Sequence, residues 1–357
     1  MKRILVTGAG GPAGVNFVMS LKITPEKMFI VGTEANKYFF HLSSTDIKYL
    51  VPKATEDNYI GTLNEIILKE HIEFVHAQPD IEVGIISEKR EELVANSFLP
   101  SKNAIRTCQD KFESARRWKK NKVPVSRFQE LSDELDVDKA FEELEKPIWI
   151  RASQGAGGRG STLAYNKETA LSWIGYWKSR KVDWRFIAQE HLPGRNIGFH
   201  SLWKEGGLVT SMARERVEYI YPHLAPSGIT GTPSVQRTIH DEEVNEIGTK
   251  AVLSIDQKFD GIACVDLKEN KDGVPCVTEI NAGRMFTTSF FFSYASKILR
   301  EDHYANIPYL YITLAFEEEI PDIPRYDILP EDIYWIRHID APARLVRDGR
   351  IIGEMYC

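Results

Sequence analysis

A short apolar run, Lys2 to Val6, ends in the glycine-rich turn Gly8-Ala9-Gly10-Gly11-Pro12-Ala13-Gly14, and this junction constrains the fold most. An amphipathic stretch, Val15 to Leu21, follows it, and a second strand spans Met28 to Thr33. Strand, tight turn, helix and strand in that order make a βαβ unit, whose two strands lie parallel in one sheet. Asn64 to Lys69 reads as helix, Phe74 to Ala77 as a short buried strand and Glu82 to Asn96 as a further helix. Residues 1–105 are therefore expected to form an α/β domain.

The pattern changes near Asp110. Asp110-Lys111-Phe112 opens a helix that runs through Arg116, Arg117, Lys119, Lys120 and Lys122, a cluster that reads as a solvated face. The strand Pro147 to Arg151 leads into Ser153-Gln154-Gly155-Ala156-Gly157-Gly158-Arg159-Gly160. Phe186 to Gln189 and Gly198 to Trp203 are further strands. Gly261 to Lys268 and Val274 to Ile280 flank Asn270-Lys271-Asp272-Gly273, whose Asp-Gly step is a hairpin signal. At roughly 150 residues per domain, 357 residues allow two or three domains.

Composition narrows the class. With 43% hydrophobic and 27% charged residues the chain can bury real cores, and it is not compositionally disordered. A net charge of −6 and a pI near 5.9 weigh against a nucleic-acid partner. No apolar run approaches the ~20 residues of a membrane span. The amino terminus does not read as a signal peptide, so a cytoplasmic location and no membrane partner are expected. Cys108, Cys264, Cys276 and Cys357 show neither a CxxC pair nor a zinc-like spacing.

Two segments carry chemistry. Four glycines in six residues after a strand suit backbone N–H contacts to a polyanion, although the same composition also suits a surface loop. A Walker loop is excluded, because no lysine follows Gly160. In the hairpin, alternation places Cys264 and Asp266 on one face. It places Val277, Glu279 and Asn281 together on the other strand, with Cys276 turned away. Asp266, Glu279 and Asn281 can then converge as oxygen ligands for Mg²⁺; an ordinary exposed acidic face is the alternative.

The glycine loop after Lys-Pro-Ile-Trp-Ile-Arg, then Gln-Glu-His-Leu-Pro-Gly, then Val-Asp-Leu, then Glu-Ile-Asn-Ala-Gly-Arg, resembles the ATP-grasp superfamily of carboxylate–amine and carboxylate–thiol ligases. Within it the chain is similar to a single half of the carbamoyl phosphate synthase large subunit, and the resemblance covers essentially the whole chain. It implies an N-terminal Rossmann-like α/β domain (1–105) and a two-subdomain α+β ATP-grasp fold (106–185 and 186–357, the latter with a C-terminal extension). Residue by residue, Lys111 and Arg151 match the basic contacts to nucleotide phosphates. Ser153, Gly155, Gly157, Gly158 and Gly160 match the phosphate loop. Gln189, Glu190, His191 and Leu192 match the segment whose backbone reads the adenine edge. Asp266, Glu279 and Asn281 match the metal ligands, and Asn281 and Arg284 the catalytic pair that steadies an acyl phosphate.

The chain departs from the family pattern in three places. Asn281-Ala282-Gly283-Arg284 has one residue more than the usual Asn-x-Arg, which a glycine can absorb. Arg195 and Asn196 follow Gly194 where an acid is common, so ribose contact falls to Asn196. Asp266 stands where some relatives have glutamate or glutamine. The implied cofactors are ATP and Mg²⁺, two ions, with Mn²⁺ as a substitute. The implied partners are a small-molecule carboxylate and an amine, and a homodimer is the default assembly.

The acceptor side is less defined. Thr287-Thr288-Ser289-Phe290-Phe291-Phe292 reads equally as pocket lining or as core, and Tyr219 to Thr232 as a substrate-side loop. His200 and His240 read as structural. Carbamate or bicarbonate phosphorylation is the alternative reaction on the same fold. The turn at Gly8 to Ala13 with Glu34 beyond it would alternatively suit a nicotinamide dinucleotide enzyme, and a non-catalytic binding module is a third class.

Overall fold

The computed structural model describes residues 1–154, 160–182, 184–225, 228–299, 305–339 and 341–355. Strands β1 (Arg3–Val6), β2 (Phe29–Glu34), β3 (Ile47–Leu50) and β4 (Phe74–His76) form a parallel sheet in the order β3-β2-β1-β4. Helices α1 (Pro12–Lys22), α2 (Tyr59–Lys69) and α3 (Asp80–Glu88) connect and follow them. Pro12 opens α1, where its fixed φ suits the first turn and its missing N–H costs nothing. The edge strand β3 was not expected from sequence, and its residues are only partly buried or exposed. The expected helix to Asn96 stops at Glu88. The chain then turns back so that Asn96 bridges Phe74 on the sheet edge.

Helices α4 (Lys102–Gln109) and α5 (Lys111–Lys120) lead into a second sheet, and α4 runs across the boundary expected at 105. Strands β5 (Phe128–Leu131), β6 (Ile148–Ala152), β7 (Thr162–Ala164) and β8 (Phe186–Glu190) pair antiparallel in the order β5-β8-β6-β7. Helices α6 (Glu134–Glu143) and α7 (Lys167–Ser179) cover this sheet. Because β8 is one of its two inner strands, the sheet reaches to Glu190, past the division expected at 185.

The third sheet has eight strands. They are β9 (Asn196–Lys204), β10 (Gly207–Tyr219), β11 (Pro233–Ile239), β12 (Gly261–Glu269), β13 (Pro275–Ala282), β14 (Tyr334–His338), β15 (Ala341–Arg347) and β16 (Arg350–Met355). Their order is β13-β12-β9-β10-β11-β14-β15-β16. Helix α8 (Glu242–Ile255) follows β11, and α9 (Ser289–Leu299) and α10 (Ile307–Ala315) follow β13.

Alternation sorts the central strands by face. Ile197, Phe199, Ala213, Ala263, Val265 and Leu267 enter one core with Val244, Ile247 and Ala251 of α8. On the opposite face Leu202, Met212, Ile262 and Cys264 enter a second core with Phe290, Phe291 and Phe292 of α9. That core also contains Phe17, Phe74 and Tyr311, tying the N-terminal domain to this sheet. Beyond it the same face is uncovered, and the functional residues lie there. No described helix is long and apolar enough to cross a membrane.

Candidate active site

The uncovered face presents a lattice of side chains set by strand register. One row across β10, β9, β12 and β13 is Arg214, Gly198, Asp266 and Glu279. The adjacent row is Met212, His200, Cys264 and Asn281. Paired strands lie about 4.8 Å apart, so the acid on β12 is one intervening strand from the cations on β10 and the acid on β13 is two.

Glu279 is the electrostatic centre. Arg151 Nη2 donates to its Oε2 at 2.9 Å, and Lys111 Nζ lies 3.4 Å from the same oxygen. Burial opposes its charge, but Lys111, Arg151 and Arg284 hold its carboxyl down to about 2. Lys111 sits at the first position of α5, whose cap is Asp110, and its backbone N–H donates to Ser153 O at 2.9 Å. Asp266, directly opposite Glu279, is paired with Arg216. Burial, with Glu279 beside it, raises the Asp266 carboxyl above the usual range. Arg284 donates to Asn281 Oδ1, and its Nε lies 3.4 Å from Asp80 Oδ1.

These residues ring a cavity of about 380 Å³. Its wall includes Arg151, Gln189, Glu190, Leu192, Asn196, Asp266, Glu279, Asn281 and Arg284, so most expected site residues converge. After Glu190 the chain leaves the β8 ladder, which places Leu192 on the wall between the two sheets. Gly160, at φ +80°, packs against Trp184 and its carbonyl accepts from Trp173. On the wall, Arg151, Arg214, Arg216, Lys268 and Arg284 outnumber Glu190, Asp266 and Glu279 by five to three. Such an excess in a half-enclosed cleft suits a polyphosphate. The donor set of two carboxylates and one amide oxygen on neighbouring lattice points is hard and oxygen-only, and fits Mg²⁺.

Residues 108–289 match the model for the ATP-grasp domain, slightly more than half of the chain. The chain belongs to the ATP-grasp family. It is therefore an ATP-binding enzyme of the ADP-forming ligase class. Its fold is similar to carboxyaminoimidazole ribonucleotide synthase from Aspergillus clavatus complexed with ATP. There the TM-score is 0.69 and the identity 17%, over 94% of this chain and 81% of that one. The biotin carboxylase domain dimer of Hydrogenobacter thermophilus 2-oxoglutarate carboxylase, with MgADP, ADP and bicarbonate, gives 0.69 at 15%, over 94% and 73%. L-amino acid ligase from Bacillus licheniformis gives 0.65 at 13%, over 89% and 74%. No curated protein matches the sequence.

Several expectations for this ATP-grasp enzyme need adjustment. Gly155, Gly157 and Gly158 lie outside the described residues. Ser153 is buried and off the cavity wall, where its backbone ties β6 to Lys111 and Arg185. His191 is half-buried and also off the wall, unlike its neighbours Glu190 and Leu192. The strict alternation expected for β13 fails at a bulge. Asp266 faces Glu279 but Leu267 faces Val277, so Thr278 is the extra residue and donates to Asp266 O at 3.0 Å. Val277 consequently enters the core, while Thr278 and Glu279 both face the cavity. Cys276 pairs with Lys268, on the Asp266 side and not away from it. Gly283, at φ +75°, accommodates the extra residue before Arg284.

Other residues were missed. Arg214, Arg216 and Lys268 line the cavity, and so does His200, which had read as structural. Arg195 turns away to Glu269 and Asp241, whereas Asn196 donates to Tyr219 Oη at 2.7 Å and accepts from Arg216 at 2.8 Å. Tyr219, Ile229, Thr230, Gly231 and Thr232 reach the cavity wall. The 287–292 segment divides: Thr287 is on the wall, but Phe290, Phe291 and Phe292 are core. An Arg-x-Arg on a strand was the available signal for Arg214 and Arg216, since both then share a face. In the N-terminal domain Glu34 accepts from the backbone N–H of Gly10 and of Asn36, both at 3.1 Å. That pairing gives Glu34 a structural task in the turn where a dinucleotide enzyme would present it to a ribose.

Proposed function

We propose that this enzyme activates the carboxylate of a small molecule as an acyl phosphate, using ATP, for attack by an amine or similar nucleophile. The observation that carries the reading is the Glu279 carboxylate, held ionised between Lys111 and Arg151 and opposite Asp266. Asp266, Glu279 and Asn281 are the residues to hold Mg²⁺, two ions in this reading, with Mn²⁺ as a substitute. The metal supplies charge neutralisation at the polyphosphate.

Lys111 and Arg151 then bind phosphate oxygens, and the segment at Gln189 to Leu192 takes the adenine edge. Asn196 is placed for the ribose. A carboxylate oxygen attacks the γ-phosphorus, the bond to the β,γ-bridging oxygen breaks, and ADP departs. The amine next attacks the acyl carbon, inorganic phosphate leaves with the C–O bond electrons, and the amine sheds a proton. Arg284 neutralises charge on the acyl phosphate, a task of positioning and electrostatics more than of covalent chemistry.

ADP and phosphate release with Mg²⁺ would be measured across amino acids, dipeptides, hydroxy acids and bicarbonate, with Glu279→Gln alongside. Carboxylate-dependent ADP release that the substitution abolishes is expected. Release with bicarbonate alone would favour the bicarbonate-phosphorylating alternative, and absence of nucleotide binding at millimolar MgATP would defeat both.

A further inference from the structure

Two cations of the cavity wall, Arg214 and Lys268, have no ion-pair partner among the described residues, and of the two Arg214 is the fully buried one. Arg214 is 1% exposed yet lies on the cavity wall. No carboxylate among the described residues comes within ion-pair distance of it. Its Nε donates to His200 Nε2 at 2.8 Å, and its Nη1 has no hydrogen-bond partner. Buried arginines are ordinarily paired, because an ionised group removed from water needs compensation.

His200 repeats the pattern. Burial, then Arg214 and Arg216, hold its imidazole well below the usual range and so neutral. Because Nε2 accepts from Arg214, the remaining proton belongs on Nδ1, which also lacks a partner. Two adjacent buried side chains therefore each carry a donor without an acceptor. Phe286 stacks on His200 with centroids 3.6 Å apart and lies 5.3 Å from the Arg214 guanidinium. Met285 and Phe286 line the cavity with them. Across Gly198, which adds no side chain, the same row continues to Asp266 and Glu279.

We propose that Arg214, oriented by His200, is the anchor for the carboxylate of the organic substrate, and that Phe286 and Met285 select an apolar group beside it. The proposal rests on the ligase reading above and adds a specificity-determining residue to it. Arg214 relieves its own unpaired charge only when that carboxylate is bound. Its place in the row sets the bound carboxylate on the same sheet face as Asp266 and Glu279, beyond Gly198.

The test uses the full chain with MgADP present. Binding of phenylacetate, 3-phenylpropionate and acetate, and of neutral phenylacetamide, would be titrated calorimetrically against wild type, Arg214→Lys and Arg214→Met. At least one aromatic carboxylate should bind wild type better than acetate, and phenylacetamide should not bind. Arg214→Met should weaken the carboxylate by about 10- to 100-fold, the loss expected for a charge-assisted hydrogen bond. Arg214→Lys should fall between, since lysine keeps the charge without the fork. MgADP should still bind all three proteins, which shows that the variants fold, and the loss of carboxylate affinity should exceed any change in MgADP affinity. Equal carboxylate binding by Arg214→Met, equal binding of the amide, or no carboxylate binding to wild type would overturn the proposal. A protein that fails to bind MgADP would instead overturn the ligase reading.

Discussion

Arg216 reaches Asp266 across Gly198, so a residue without a side chain separates a metal-ligand candidate from the arginine that holds it. A Cβ at position 198 would stand 2.8 Å from His200 Nε2 and 3.3 Å from Arg216 Nη2. Both neighbours belong to the polar wall and neither can retreat into the sheet. Gly198→Ala should lower stability by about 1–3 kcal/mol in denaturant unfolding, as overpacking does. Substrate-dependent ADP release should fall on the order of 100-fold, because misplacement by about 1 Å is costly to catalysis. A variant with wild-type turnover would show that the row is not held by this spacing.

Asp110 connects helix capping to phosphate binding. Its Oδ1 accepts from the N–H groups of Phe112 and Glu113, at 3.0 and 3.2 Å, fixing the turn that begins with Lys111. Asp110→Ala should cost about 1 kcal/mol of stability and raise the Kd for MgATP. Asp110→Asn should retain most of the stability, since asparagine caps equally well. Titration of nucleotide into both variants separates the two effects.

The fold was legible wherever a local pattern had only one tertiary use. The β1–turn–α1–β2 unit, the hairpin of β12 and β13 and the Asp266–Glu279 pair all followed from glycine placement and alternation. What failed was information held by neighbours. The Thr278 bulge is invisible to parity counting, because it arises where β13 must turn Val277 into the core and still present Glu279. His200 has no sequence motif of its own, and the Arg-x-Arg that marks Arg214 does not disclose its pairing with His200. Their significance comes from register, which brings residues 14 positions apart to adjacent strands. Ser153 and His191 lie just past the ends of β6 and β8, off the wall, although Glu190 and Leu192 on either side of His191 are on it.

Glu82 should make stability depend on pH. It lies in the first turn of α3, and burial, aided by Glu34, pushes its carboxyl up to about 7, against the pull of Thr7 and Tyr59. In the unfolded chain it titrates near ~4.3. Between those values the native state keeps a proton that the unfolded state has released, so stability falls as pH rises and the loss is complete above about pH 7. The span corresponds to roughly 4 kcal/mol as an upper figure. Urea unfolding of Glu82→Gln should show a flatter profile from pH 5 to 8, with the variant gaining on wild type toward pH 8. Parallel profiles would place the native titration elsewhere.

Glu34 offers the test of what the N-terminal turn is for. Its two carboxylate oxygens accept from Gly10 and Asn36, and Gly10 itself is closed off, since a Cβ there would stand 1.9 Å from the Phe39 carbonyl oxygen. A turn filled in this way by its own chain holds β2 against the start of α1. Glu34→Ala leaves the buried Gly10 N–H without an acceptor and should cost about 2 kcal/mol in unfolding experiments. The KM for ATP should stay at the wild-type value, because Glu34 belongs to the first sheet and not to the cavity wall. Glu34→Gln keeps one acceptor oxygen and should lose less. Nicotinamide dinucleotide binding to wild type that Glu34→Ala removes would instead return the turn to a ligand-binding role.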